Sequence, residues 1–207
     1  MLEPAADVAH DEFVPAPARR AATIEEFLAI PEDRRFHELL GGQIVEKASP
    51  SGEHGCAQSS VVGAILPPYQ RRVGGPGGPG GWWIATEVEV LLASGELVRP
   101  DVLGWRRDTT AERPTGFPVH VRPDWVCEIV SPSNANADTV KKLRLYHQAR
   151  IGHYWIVDPR DTTLTVMRWA EPGYLAVLRA ERGETVRPEP FAQIALPVGS
   201  LFGDETE

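Results

Sequence analysis

The segment Trp125-Val126-Cys127-Glu128-Ile129-Val130 is a six-residue run in which only Glu128 is polar. A strand that is apolar on both faces belongs at the centre of a sheet whose two sides are covered. A second strand, His153-Tyr154-Trp155-Ile156-Val157-Asp158, follows a stretch from Asn134 to Ile151 that reads as a helix with Val140, Leu143, Tyr146 and Ala149 inward. A strand, a helix and a strand in that order normally close as a right-handed parallel crossover. Whatever else the chain does has to be arranged around this unit.

Upstream, Thr23-Ile24-Glu25-Glu26 is a capping-box pattern opening a short helix with Phe27, Leu28 and Ile30 on one side, ended by Pro31. Phe36 to Glu46 reads as a hairpin around the Gly41-Gly42 turn. From Glu53, Ala57, Val61, Ala64 and Ile65 recur at helical spacing, and Pro67-Pro68 is expected to end that helix. Gly74 to Gly81 is made of glycine and proline alone and reads as a loop. Thr86 to Leu92 alternates like a half-buried strand, with Leu97 to Trp105 as its antiparallel partner across a turn at Gly95, before a polar loop from Arg106 to Pro123. Thr163 to Trp169 and Tyr174 to Ala180 form a closing hairpin. The expected fold is α/β of the mixed α+β kind, a mixed sheet flanked by helices. Residues 1–22, rich in Ala and Pro, read as a disordered extension, 23–202 as one domain and 203–207 as an acidic tail.

Several function classes fall away on composition. No run of eighteen or more apolar residues occurs, so no membrane span is expected, and Met1 to His10 lacks the basic start and apolar stretch of a secretory signal, which predicts a cytoplasmic protein. Cys56 and Cys127 have no paired spacing and no flanking histidines, so neither a disulfide nor a zinc cluster is expected, and Cys127 reads as a small buried hydrophobe. The formal net charge of −8 opposes tight binding to a polyanion. Acidic ends inflate that figure, while Arg71, Arg72, Arg106, Arg107, Lys141, Lys142, Arg144 and Arg150 lie mid-chain. Gly-x-Ser-x-Gly, His-Glu-x-x-His and Walker patterns are all missing from the sequence.

Glu128 is the main chemical clue. A carboxylate in a doubly buried strand is costly unless it is paired or binds a metal; a nearby arginine or a turn satisfies it as well as an ion does. Asp101 follows Pro100, which marks an edge or a bulge in the neighbouring strand. Carboxylates from adjacent strands can converge, and hard oxygen ligands of that type suit Mg²⁺ or Mn²⁺. Asp158, before Pro159, is better read as a turn residue. Asp138, Lys142 and Tyr146 are spaced by four and form one helical stripe, either an exposed salt-bridged face or a face turned toward the carboxylates, with Lys141 about 100° away as its control. By spacing alone Glu38 reads as a solvated strand carboxylate and His54 as a packing residue.

In combination these segments resemble a known family. Phe36-His37-Glu38-Leu39-Leu40-Gly41-Gly42, Val98-Arg99-Pro100-Asp101-Val102, Glu128-Ile129-Val130-Ser131-Pro132-Ser133, Asp138 with Lys142 and Tyr146, and Gly152-His153-Tyr154-Trp155-Ile156-Val157-Asp158-Pro159 stand in the order and spacing of the Uma family of restriction-endonuclease-like proteins, within the PD-(D/E)XK nuclease superfamily. The resemblance spans about residues 23–202. It implies a restriction-endonuclease-like core and Mg²⁺-dependent hydrolysis of DNA phosphodiesters. It also implies a site of Glu38, Asp101, Glu128 and Lys142 in which Asp101 and Glu128 are the metal ligands. The superfamily lysine stands two residues after the acid; here that position is Val130, and the resemblance maps the lysine onto Lys142 of the next helix. Cutting both strands requires two sites, which a homodimer would supply, although no sequence feature establishes one. The competing expectations are a catalytically silent DNA-binding or protein-interaction domain that keeps the fold, and a metal-dependent hydrolase of other phosphoesters.

Overall fold

The computed structural model describes residues 20–131 and 140–205. In chain order its elements are helix α1 (Ile24–Leu28), strands β1 (His37–Leu40) and β2 (Gln43–Glu46), helix α2 (Gly52–Tyr69) and strands β3 (Trp82–Thr86), β4 (Val90–Leu91), β5 (Leu97–Val98), β6 (Val102–Arg106) and β7 (Trp125–Ile129). Helix α3 (Lys142–Gln148) follows, then strands β8 (His153–Asp158), β9 (Thr163–Arg168), β10 (Leu175–Glu181), β11 (Thr185–Val186) and β12 (Leu196–Pro197).

A six-stranded sheet in the order β10-β9-β8-β7-β6-β3 carries the parallel pair expected from the two buried runs: β7 lies beside β8 with Trp125 opposite His153 and Ile129 opposite Val157. The other pairings in this sheet are antiparallel, so it is mixed. Every residue of β7 is buried, and the alternation of side chains along a strand divides them between two cores. Trp125, Cys127 and Ile129 pack with Ala57, Val61, Ile65 and Tyr69 of α2. Val126 packs on the other side with Tyr146, Ile151 and Tyr154. Glu128 has the parity of Val126 and so faces α3.

A second sheet has four antiparallel strands in the order β2-β1-β5-β4, and β11 pairs with β12 in a third, two-stranded one. The pair expected to run unbroken from Thr86 to Leu92 and from Leu97 to Trp105 is antiparallel but shared between two sheets: β3 and β6 belong to the six-stranded one, β4 and β5 to the four-stranded one. Glu87, at φ +54°, and Pro100 sit at the break, where the Glu87 amide donates to the Pro100 carbonyl. Two short strands can thereby turn out of one sheet into the next.

Helix α1 forms with the full capping box at Thr23 and Glu26, and Phe27 is buried beneath it. Helix α2 departs from expectation, since it runs through Pro67 and Pro68 to Tyr69. Both rings fall in the last turn, so only two backbone donors are lost, at the end of the helix. Val140, expected inward, is exposed, whereas Leu143 and Ala149 are half-buried and Tyr146 is fully buried. The expected start of that helix at Asn134 lies outside the described residues. Beyond the closing hairpin, Phe191 inserts its ring against Tyr69, Trp82 and Trp125 at centroid distances of 4.7–4.9 Å, closing the core on the α2 side. No helix among the described residues is long and apolar enough to cross a membrane.

Candidate functional site

The junction between the six-stranded and four-stranded sheets gathers most of the buried charge among the described residues. Asp101 enters it from the turn ahead of β6 and is 1% exposed. Its Oδ2 accepts the amide of Ile129 at 2.7 Å, which ties it to the residue after Glu128. Its Oδ1 meets Lys47 Nζ at 2.8 Å and His54 Nε2 at 3.4 Å. Gln58, one helical turn beyond His54 on α2, donates to the Asp101 carbonyl at 2.8 Å. Burial by itself raises the Asp101 pKa; the His54 hydrogen bond and the charges of Lys47, His54 and Lys142 outweigh it and hold the carboxyl well below the usual range.

Glu128, also 1% exposed, accepts the Tyr146 hydroxyl and lies 3.1 Å from Lys142 Nζ. Lys142 reaches back from the first turn of α3 and bridges to Glu38 Oε2 at 3.0 Å. Glu38 in turn accepts the Arg99 amide through Oε1 at 2.7 Å. It is therefore a buried member of an acid–lysine–acid bridge, not a solvated strand carboxylate, because β1 lies inside the four-stranded sheet and turns this side chain toward the six-stranded one. Burial, together with Glu128 and Glu38, pushes the Tyr146 hydroxyl well above its ordinary pKa, so it stays a proton donor.

All four residues expected in the site thus lie around this junction, with Lys142 joining Glu38 to Glu128 and the Ile129 amide joining Asp101 to the same strand. Lys141 is exposed, as its place around the helix requires. Asp138, the third member of the helical stripe, lies outside the described residues. Asp158 is held by its own turn: its Oδ1 accepts the Arg160 amide at 3.0 Å and the Arg160 guanidinium closes over it.

Three residues that the sequence reading passed over also belong here. His54 is not a mere packing residue: its ring touches Asp101, and its buried Nδ1 has no hydrogen-bond partner among the described residues. Glu87, in the strand break, pairs with Lys47 at 2.8 Å and with Arg99 at 3.4 Å. Lys47 follows β2; burial opposes its charge, but Asp101, Glu128 and Glu87 more than compensate and raise its pKa. A signal was present, since Lys47 is the one lysine outside the adjacent pair Lys141-Lys142.

Four carboxylates (Glu38, Glu87, Asp101 and Glu128) therefore face Lys47, Lys142, Arg99 and the His54 ring. His54, Glu87 and Asp101 each offer one ligand atom, all within 4.8 Å of one another. The donors are mainly carboxylate oxygens, the type that Mg²⁺ and Mn²⁺ select. Asp101 and Glu128 share a recess of about 10 Å³, and a cleft of about 390 Å³ lies beside it, bordered by Phe36, Gln58, Glu87 and Arg99. Lys47 and His54 line both.

The sequence model of the Uma2 family, described as "Putative restriction endonuclease", matches residues 24–199. No curated protein matches the chain. A solved structure similar to this one is a crystal structure from Anabaena variabilis described as "a putative nuclease belonging to DUF820". The two share 22% identity and a TM-score of 0.64, over 87% of this chain and 97% of that one. At that identity the likeness bears on the fold, which is the one that protein has.

Proposed function

This chain belongs to the Uma2 family, and from that premise we propose that it is an endonuclease that hydrolyses DNA phosphodiester bonds with Mg²⁺, for which Mn²⁺ can substitute. The observation that carries this reading is the coupling of Asp101 to β7. The hydrogen bond from the Ile129 amide fixes the Asp101 carboxylate beside Glu128, in one recess that shares Lys47 and His54 with a neighbouring cleft. Two buried acids brought together in this way are expensive without a cation, and the fold invests several charged residues in keeping them there.

In this reading Asp101 and Glu128 are the metal ligands. A bound ion would polarise the scissile phosphate and lower the pKa of a water. Tyr146 and Lys142 hold Glu128 in one orientation, and Glu38 keeps Lys142 in place from behind. The Lys142 ammonium also offsets negative charge that develops at the phosphate. The cleft bordered by Phe36 and Arg99 is the approach for the substrate. Two copies of the chain acting on opposite strands would complete a double-strand cut.

A plasmid-nicking assay with Mg²⁺ and then Mn²⁺, run beside Glu128→Ala, tests the proposal. Nicking by the native protein and none by the variant is the expected result. No nicking with either metal by folded protein would favour a silent DNA-binding domain on the same fold. Equal nicking by both proteins would place the chemistry elsewhere.

A further inference from the structure

Lys47 carries its ammonium into the place where a cation would be sought. Nζ lies 2.8 Å from each of three oxygens: Glu87 Oε2, Asp101 Oδ1 and the carbonyl of Arg99. Two carboxylates and a backbone carbonyl around one positive centre are also the donor set of a hard divalent ion. The ammonium satisfies these oxygens with hydrogen bonds and supplies part of the charge that the buried acids require.

Space points the same way. The recess that Asp101 and Glu128 share, about 10 Å³, has room for little more than a single water. Mg²⁺ keeps several of its waters when it binds through one or two carboxylates. Something has to leave before such an ion can enter. Lys142 is 2% exposed and clamped between Glu38 and Glu128. Lys47 is 15% exposed and borders the 390 Å³ cleft, so its long side chain has somewhere to go.

We propose that Lys47 is a tethered cation standing in the seat of the divalent ion, and that metal binding at Asp101 is an exchange in which the ammonium moves into the cleft as the ion takes Asp101, Glu87 and the Arg99 carbonyl. A divalent ion and the ammonium compete for the same oxygens and repel one another, so each weakens the other's hold on them. The affinity for metal is then set by what Lys47 gives up as much as by what the ligands offer. This inference rests on the metal-dependent reading above, to whose ligands Asp101 and Glu128 it adds Glu87 and the Arg99 carbonyl.

Mn²⁺ binding, followed by electron paramagnetic resonance of the free ion, tests the exchange on the full chain. Lys47→Met and Lys47→Gln are expected to bind Mn²⁺ about tenfold tighter or more than the native protein, the step worth 1.4 kcal/mol. Lys47→Arg, which keeps the charge, should stay near the native affinity, and adding Glu87→Gln to Lys47→Met should reverse the gain. Equal or weaker binding by both neutral variants, or a gain that survives Glu87→Gln, overturns the proposal. Circular dichroism establishes which variants fold.

A second measurement needs no variant. The chain has three lysines, so acetylation by a water-soluble anhydride can be read at each by peptide mass. Mn²⁺ should accelerate modification of Lys47 severalfold relative to exposed Lys141; an unchanged ratio at saturating Mn²⁺ overturns the exchange. The nicking assay separates the two claims. An inactive native protein whose Lys47 still responds to Mn²⁺ overturns the nuclease reading and supports the exchange. An active nuclease whose Lys47 does not respond overturns the exchange alone.

Discussion

The two halves of the acidic junction are built from the same groups and differ in their access to solvent. On one side Lys142 is locked between Glu38 and Glu128, with Tyr146 donating to the same glutamate. On the other, Lys47 sits between Glu87 and Asp101 with a cleft at its back. A lysine with no exit acts as a fixed counter-charge that holds a carboxylate in one orientation. A lysine with an exit is one of several cations able to fill the same oxygens. The difference arises from topology: α3 covers the first half, whereas the second lies where the antiparallel pair is divided between two sheets.

The largest effects should come from the acids that both halves serve. Asp101→Ala and Glu128→Ala should each lower plasmid nicking about 10²–10³-fold or more, in the range found when a single charge-stabilising group is removed from an active site. Retained nicking in either variant would separate that half from the chemistry.

Lys142→Ala should cost about 3–5 kcal/mol of stability, because it leaves two acids buried without their cation. Chemical denaturation would measure it, and adding Glu38→Gln should recover part of the loss. If the cost matches that of Lys47→Ala, the contrast between a locked and an exchangeable lysine fails. Tyr146→Phe should cost about 1.5–3 kcal/mol, the worth of a hydrogen bond to a charged group. Lys141→Ala should lie within about ±0.5 kcal/mol of the native protein, as an exposed substitution away from such features does.

Asp158 offers a smaller, external calibration. The Arg160 hydrogen bond outweighs the opposing effect of burial and lowers its pKa. A carboxyl whose folded pKa is depressed contributes stability above its unfolded value, near 3.9, and loses it as pH falls through the folded one. Arg160→Ala should therefore flatten the acid limb of a stability-against-pH curve and leave neutral nicking unchanged.

Reading the sequence alone recovered the crossover unit, both hairpins and the capped first helix, because each is announced by neighbours in the chain: alternation, helical spacing, a Gly-Gly turn, a capping box. It also reached Glu128, since one carboxylate in an apolar run stands out locally. Glu38 by itself looked like a solvated residue, and only the resemblance to a family placed it in the site. Tertiary packing alone brought Lys47 to Asp101 across 54 residues and to Glu87 across 40. The break at Glu87 and Pro100 likewise depended on which sheet each half-strand joined. Hydrophobic periodicity is a property of consecutive residues and tells a strand which face to bury. Ion pairing is set by distances through space, so which charges a chain holds apart and which it brings together is decided when the sheets close on one another.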